Sequence, residues 1–232
     1  MTDADIPSGG VGVVVVAAGS GSRLGAAVPK ALVDLAGAPL LDHAVARVLA
    51  VTDVEQVVVV APPGLVPEIA GRYAAEPRVA VVAGGAERSD SVAAGLAVLD
   101  ERLALVLVHD AARCLTPPEV FDRVIAALRS GDVGVVPGLP VVDTIKRVDE
   151  DHLVTATPDR SALWAVQTPQ GFTREVLLEA HAPGRRGTDD AVLVEEAGHR
   201  VRVVPGDHLA FKITSRADLE QAARLLAGAT AP

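Results

Sequence analysis

Aromatic residues are nearly missing: three Phe, one Tyr and one Trp in 232 residues. Their scarcity argues against the stacked-ring platforms that hold single-stranded nucleic acid. The chain has one cysteine, Cys114. A lone cysteine excludes an internal disulfide and a cysteine-based zinc cage, and reads as a small core or near-site residue. No long basic run occurs and the formal net charge is −9, which argues against a nucleic-acid partner. No apolar stretch reaches membrane-spanning length without charges, so no membrane partner is expected. Residues Met1 to Gly10 are polar and lack the apolar core of a secretion signal, which makes the expected location the cytoplasm.

What the chain does have is apolar residues, half of the total and mostly Ala, Val and Leu. That supports one large core and a single α/β domain over residues 1–232. The charge balance adds a constraint. An acidic protein that binds an anion must concentrate its cations locally, so individual Arg and Lys positions carry information.

The sequence centres on Val13 to Gly25, closed by Pro29-Lys30. Four valines in a row predict a strand buried on both faces. Ala17, Ala18, Gly19, Ser20, Gly21 and Ser22 follow, with Arg23 next and Lys30 seven residues later. Small, donor-rich and cationic residues after a buried strand suit a polyphosphate. The plain alternative is an ordinary strand-to-helix turn with two solvated cations. A dinucleotide turn fits worse, because the third glycine comes one place late at Gly25 and Pro29 interrupts the helix. A Walker-type loop fails, since Lys30 is flanked by Pro29 and Ala31.

Further on, buried-type strands are predicted at Val54 to Ala61, Arg78 to Ala83, Leu103 to Val108 and Val133 to Pro137. Helices are predicted between them, from Leu40, over Leu65 to Ala75, over Ser89 to Leu99, and over Pro117 to Arg129. Ser89 or Asp90 is expected to cap the third, and Thr116 the fourth. This alternation implies a mostly parallel, doubly wound sheet whose ligand lies at the carboxyl ends of the strands. Those ends carry Gly19 to Arg23, Gly84 to Arg88 and His109 to Arg113.

From Leu139 to Leu163 the rhythm breaks into an alternating hairpin that leaves the main sheet. An isolated hairpin is marginal in water, so it is expected to pack on a second subunit; packing on its own domain is the alternative. Later elements include helices over Glu175 to Ala182 and Ala191 to Ala197, the latter capped within Thr188-Asp189-Asp190. Short strands are expected at Val201 to Val204 and Leu209 to Ile213, and a terminal helix over Ser215 to Ala227.

Two clusters add chemistry. Gly84 to Ser91 reads either as a helix cap with a surface arginine, or as a ligand loop in which Gly85 approaches closely and Arg88 and Ser91 face the base or ribose. Asp110, at the end of a buried strand beside the phosphate loop, suits a Mg²⁺ ligand, because magnesium takes one or two carboxylates and completes its shell with phosphates and water. His109 reads as a core histidine before a catalytic one. Lys212 is either solvated or a second phosphate clamp.

The segments AAGSGSRLG with Pro29-Lys30, GGAERSDSV, VHDAAR, DTIK, QTPQGF, TDDA and FKIT occur in this order along nearly the whole chain. Together they make the chain resemble the 2-C-methyl-D-erythritol 4-phosphate cytidylyltransferase family. The resemblance implies a Rossmann-like fold of the nucleotide-diphospho-sugar transferase type. It implies an enzyme that joins CTP to methylerythritol phosphate and releases pyrophosphate, with Mg²⁺ and a homodimer formed through the hairpin arm. By motif position, Arg23 and Lys30 resemble the residues that stabilise the transition state. Arg160 and Lys212 resemble those that position the sugar phosphate, and Asp110 resembles the nucleotide, substrate and metal contact. Arg113, Thr144 and Thr188 resemble further substrate contacts, with Thr144 and Arg160 supplied by the partner's arm. Two residues depart from the pattern. Ala86 replaces an acidic residue that some relatives turn to the base, which leaves base reading to backbone groups. Cys114 replaces a proline. A sister cytidylyltransferase acting on ribitol 5-phosphate is the alternative enzyme, and a non-catalytic nucleotide-binding module the alternative of another class.

The chemistry needs no general base. The attacking group is a phosphate, already largely ionised because its second pKa is about 6. The need is for screening between anions and for stabilisation of charge at the α-phosphorus.

Overall fold

A computed structural model describes residues 9–19, 28–182 and 185–229. The chain opens with β1 (Val11–Val16), followed by a two-stranded ribbon of β2 (Asp34–Leu35) and β3 (Ala38–Pro39). Then α1 (Leu40–Leu49), β4 (Val54–Ala61), α2 (Val66–Arg72), β5 (Val79–Ala83), α3 (Arg88–Leu96), β6 (Leu105–Asp110), α4 (Pro118–Arg129) and β7 (Gly134–Pro140) continue the strand–helix alternation. A hairpin of β8 (Arg147–Val148) and β9 (Val154–Ala156) interrupts it. The chain returns through β10 (Trp164–Val166), β11 (Gln170–Thr173), α5 (Arg174–Ala180), α6 (Asp190–Glu196), β12 (Val201–Pro205) and α7 (Arg216–Ala229).

The main sheet has eight strands among the described residues, in the order β10-β7-β11-β6-β1-β4-β5, with β12 on the other side of β7. The pairings β1–β4, β1–β6, β4–β5 and β7–β12 are parallel. The expected α/β, mostly parallel sheet is therefore observed, with two antiparallel strands added. β11 lies antiparallel between β6 and β7, and β10 runs antiparallel to β7.

Alternate residues of the buried strands feed two cores, one on each face. Val11, Val13 and Val15 face α1 and α4, through Leu41, Val45, Phe121 and Ile125. Val14, Val58, Val106 and Val108 face α3, α5 and α6, through Val92, Leu177 and Val194. A Cβ on Gly95 would come within 2.5 Å of Val14 Cγ1, so α3 sits against the sheet because position 95 has no side chain.

Several boundaries differ from the sequence reading for identifiable reasons. Residue 87 is the N-cap of α3, and a capping box links Glu87 with Asp90, so neither Ser89 nor Asp90 is the cap. Pro117 precedes α4 and Pro118 takes its first turn, while Thr116 Oγ1 donates backward to Arg113 O at 2.7 Å. The expected strand Leu209–Ile213 does not form. Asp207 caps a short 3₁₀ turn at His208–Ala210, and the chain then crosses to the loop after β6, where Ile213 N–H donates to Ala112 O at 2.9 Å. The terminal helix begins as expected: Ser215 Oγ accepts from Asp218 N–H, and Asp218 Oδ2 accepts from Thr214 and Ser215 N–H.

Candidate active site

The carboxyl ends of β1, β4 and β6 are level. Val16 pairs with Asp110 on one side and Val60 on the other, and Ala17 N–H donates to Val60 O. The loop after β5 joins them, since Gly84 N–H donates to Ala61 O. A Cβ on Gly84 would come within 2.5 Å of Ala18 Cβ, so the second glycine loop can close on the first only with glycine there. At this edge lies a cavity of about 340 Å³. Ala17, Ala18 and Gly19 form one wall, Gly85 to Arg88 with Ser91 another, and Lys30, Asp110 and Lys212 contribute the remaining charges. The chain has three lysines, Lys30, Lys146 and Lys212, and two of them line this cavity.

Strand parity explains how β6 serves it. Val106 and Val108 face α3, α5 and α6, so Asp110 lies on that side too, and His109 points to the opposite face. Asp110 is 8% exposed. Its Oδ2 accepts from Lys212 Nζ at 2.7 Å, and its Oδ1 is 3.6 Å from Arg88 Nη2. Burial alone would raise its pKa, but Lys212 and Arg88 outweigh burial and hold it at about 2. The carboxylate is thus ionised at neutral pH.

His109 is fully buried, 5.0 Å from the Phe121 ring, and burial pulls its pKa to about 4. It is a neutral side chain that pairs through Nδ1 with Thr168 Oγ1 at 3.0 Å, while Thr168 Oγ1 accepts from Asp110 N–H at 3.1 Å. Its part is to fix the backbone under Asp110. Cys114 is buried as well, and its thiol is pushed up to about 12 by that burial, so it stays protonated.

Arg88 lines the cavity, but its guanidinium is turned to carboxylates: Nη2 is 2.7 Å from Asp190 Oδ2. Ser91 is likewise engaged, accepting from Gly85 N–H and donating to Glu87 O. Other predicted positions do not reach the cavity within one chain. Arg113 donates to Ala210 O at 2.7 Å and Val166 O at 3.3 Å, strapping the 208–213 segment to β10. Arg160 donates to Val142 O at 2.6 Å at the base of the arm. Thr144 on the arm and Thr188 before α6 are exposed. Ser20, Gly21, Ser22 and Arg23 lie outside the described residues.

Sequence reasoning missed Asp190, which is fully buried beside the site. It was hidden in Thr188-Asp189-Asp190, where Asp189 does the capping by accepting Val192 N–H at 3.0 Å. Two acids where one cap suffices were the available signal.

The donor set suits one hard cation held by a substrate. Two carboxylates line the cavity, the buried Asp110 and the exposed Glu87, and no cluster of three His, Cys, Asp or Glu among the described residues could hold a metal alone. Mg²⁺ binds in that way, through one or two carboxylates with phosphates and water.

A family model described as IspD, 2-C-methyl-D-erythritol 4-phosphate cytidylyltransferase, matches residues 11–227. The chain belongs to this cytidylyltransferase family. A cytidylyltransferase of that description from Nocardia farcinica is 50% identical over 226 residues, 97% of each chain. A bifunctional IspD/IspF enzyme of Clavibacter michiganensis is 52% identical over 225 residues, which are 94% of this chain and 54% of that protein. The chain thus spans about half of the bifunctional relative. Among solved structures, a 4-diphosphocytidyl-2C-methyl-D-erythritol synthase from Anaerococcus prevotii superposes with a TM-score of 0.85 at 27% identity, over 97% of this chain and 100% of that one. The Thermus thermophilus cytidylyltransferase superposes with a TM-score of 0.74 at 36% identity, over 91% and 97%. The cytidylyltransferase fold therefore covers the sheet, both cores and the cavity edge described above.

Proposed function

We propose that this chain transfers CMP from CTP to 2-C-methyl-D-erythritol 4-phosphate, giving 4-diphosphocytidyl-2-C-methyl-D-erythritol and pyrophosphate. The observation that carries this reading is the pairing of family membership with a cavity whose wall holds Lys30, Arg88, Lys212 and the buried, ionised carboxylate of Asp110. Such a set has cations for phosphates and no nucleophile–base pair. His109 is neutral and faces the other side of the sheet, which supports a route in which the sugar phosphate attacks as the anion it already is.

On this reading Lys30 and Lys212 bind the triphosphate and the incoming phosphate, screening one anion from the other. Ala17 to Gly19 and Gly85 bring backbone groups to the nucleotide. Arg23, Ser20, Gly21 and Ser22 belong to the same loop in the sequence and are assigned the same phosphates. Asp110 is the side chain that would hold Mg²⁺ with the phosphates, and the ion supplies charge neutralisation on the leaving pyrophosphate.

Arg160 and Thr144, remote from their own cavity, are assigned to the cavity of a second copy. The arm supports a homodimer by its surface: Val142, Leu153 and Val154 are 78%, 65% and 59% exposed. The cytoplasm is the proposed location, and no helix of the described residues is long and apolar enough to cross a membrane. Incubation with Mg²⁺, CTP and methylerythritol phosphate is expected to release pyrophosphate, with ribitol 5-phosphate as the parallel arm. Release only with ribitol 5-phosphate would reassign the substrate, and release with neither would remove the activity.

A further inference from the structure

Asp190 is a fully buried carboxylate in a position where the helix does not need it. Capping of α6 is done by Asp189. The backbone N–H groups of Asp190 and Ala191 are taken by Gln170 Oε1 at 3.2 and 3.1 Å, and Gln170 Nε2 donates to Asp189 Oδ2 at 2.8 Å. Burying a charge is costly unless something answers it. Two groups answer this one. His181 Nε2 sits 3.0 Å from Oδ1, and Arg88 Nη2 sits 2.7 Å from Oδ2 without the alignment of a hydrogen bond.

The same Nη2 is 3.6 Å from Asp110 Oδ1. Arg88 is therefore shared between two carboxylates at unequal distances, one behind the site and one in it. Asp110 in turn holds Lys212 at 2.7 Å through its other oxygen. The series runs His181, Asp190, Arg88, Asp110, Lys212, and joins α5, α6, α3, β6 and the segment before α7. Its charges alternate from Asp190 onward.

Alternation gives each member a direction of pull. An arginine beside a carboxylate tends to a bidentate pair, which is stronger than a lysine contact. If Arg88 closed on Asp110, it would compete with Lys212 for the same carboxylate. Asp190 prevents this by pulling from the other side. We propose that Asp190, oriented by His181, is a positioning residue that restrains Arg88, so that Asp110 keeps Lys212 fixed at the cavity. This rests on the nucleotidyl-transfer reading for its catalytic consequence, but the placement of Lys212 can be read without catalysis.

The chain's three lysines make that readout clean. Lysine acylation by a small anhydride, followed by peptide mass spectrometry, gives the labelling rate of Lys212 with Lys146 on the arm as internal reference. In folded Asp190→Asn, Lys212 labelling is expected to rise at least threefold relative to Lys146. In Asp190→Asn/Arg88→Met, which also removes the competing arginine, it is expected to return toward the wild-type rate. Equal labelling in wild type and folded Asp190→Asn, or no return in the double variant, would overturn the proposal. Should Asp190→Asn fail to fold by circular dichroism, His181→Ala, which leaves Asp190 charged but unoriented, serves instead; a rise supports the proposal and unchanged labelling overturns it. Steady-state kinetics on the same proteins adds the catalytic arm. A kcat loss of about tenfold with KM for CTP within threefold is expected for Asp190→Asn, whereas a structural role would lower the melting temperature and leave kcat per folded molecule intact, overturning the proposal. Wild-type protein that releases no pyrophosphate would fail the functional reading alone, since the labelling result stands apart from it.

Discussion

At the scale of single residues, the site separates charge that acts from charge that supports. Lys30 lines the cavity that the proposed reaction assigns to the phosphates. Lys30→Ala is expected to lower kcat by about 100-fold or more, with a smaller effect on CTP affinity, because a preorganised cation is worth most in the transition state. Steady-state kinetics with a separate binding isotherm checks this; normal turnover with only a raised KM would assign Lys30 to uniform binding. His109 and Asp110 are neighbours with opposite expectations. His109→Asn keeps polarity in a buried position and should cost at most about tenfold, below the loss usual for a general base. Asp110→Asn removes the partner of Lys212 and Arg88 and should cost far more. Comparable losses in the two folded variants would refute the base-free route. Asp110 was legible in the sequence because an acid at the end of an apolar strand stands out, and Lys30 because it closes a loop of small residues after one; Lys212 was left between a solvated lysine and a phosphate clamp until the resemblance chose the second. Asp190 was not, because an acid at a helix start is ordinarily a cap, and only tertiary packing tells which of two adjacent acids is buried.

At the scale of elements, the arm is the part that its own chain does least to cover. Val141 N–H donates to Leu163 O at its base, and Asp149 Oδ1 accepts from Asp151 and Leu153 N–H at its tip. Among the described residues its two short strands pair only with each other. Deleting Asp149 to Leu153 is expected to weaken self-association and turnover together, since Arg160 is held on the same stem. Sedimentation and kinetics on one sample decide it, and a fully active monomer would rule it out. The arm was readable from the broken strand–helix rhythm at Leu139. The segment 209–213 was misread for a related reason: Phe211-Lys212-Ile213 alternates like a strand, but β12 already occupies that side of β7, and the segment finds its hydrogen bond at Ala112 instead. Periodicity reports which side chains are buried and not whether a sheet edge is available.

For the whole molecule, acid is the expected weakness. Burial lowers the pKa of His109 from 6.5 to about 4. Between those values the unfolded chain takes up a proton that the folded chain refuses, so stability present above pH 6.5 is lost as pH falls toward 4, by on the order of 3 kcal/mol. Asp110 extends the loss: its native pKa of about 2, against 3.8, means that stability falls further between those two values. Denaturant unfolding of the free protein from pH 8 to pH 4 should show the first decline, and His109→Asn should flatten it. An unchanged slope in the variant would place the proton uptake elsewhere. The general architecture followed from valine-rich runs alternating with helical stripes, which carry the parallel half of the sheet. The insertion of β11 did not, because Gln170 to Thr173 is too short to display a period and its place depends on partners far away in the chain.

That insertion bears on how the polypeptide can be assembled during synthesis. β1, β4, β5 and β6 follow one another along the chain with no other strand of the main sheet described between them, so they can pair in the order in which they emerge from the ribosome. β7 cannot join β6 directly; it must wait for β11, made after the whole arm, to slip between them. Until then β6, which carries His109 and Asp110, is an open apolar edge. The nascent protein thus leaves one edge of the strand that carries Asp110 open for the time needed to translate some sixty residues, about three to twelve seconds at ordinary elongation rates.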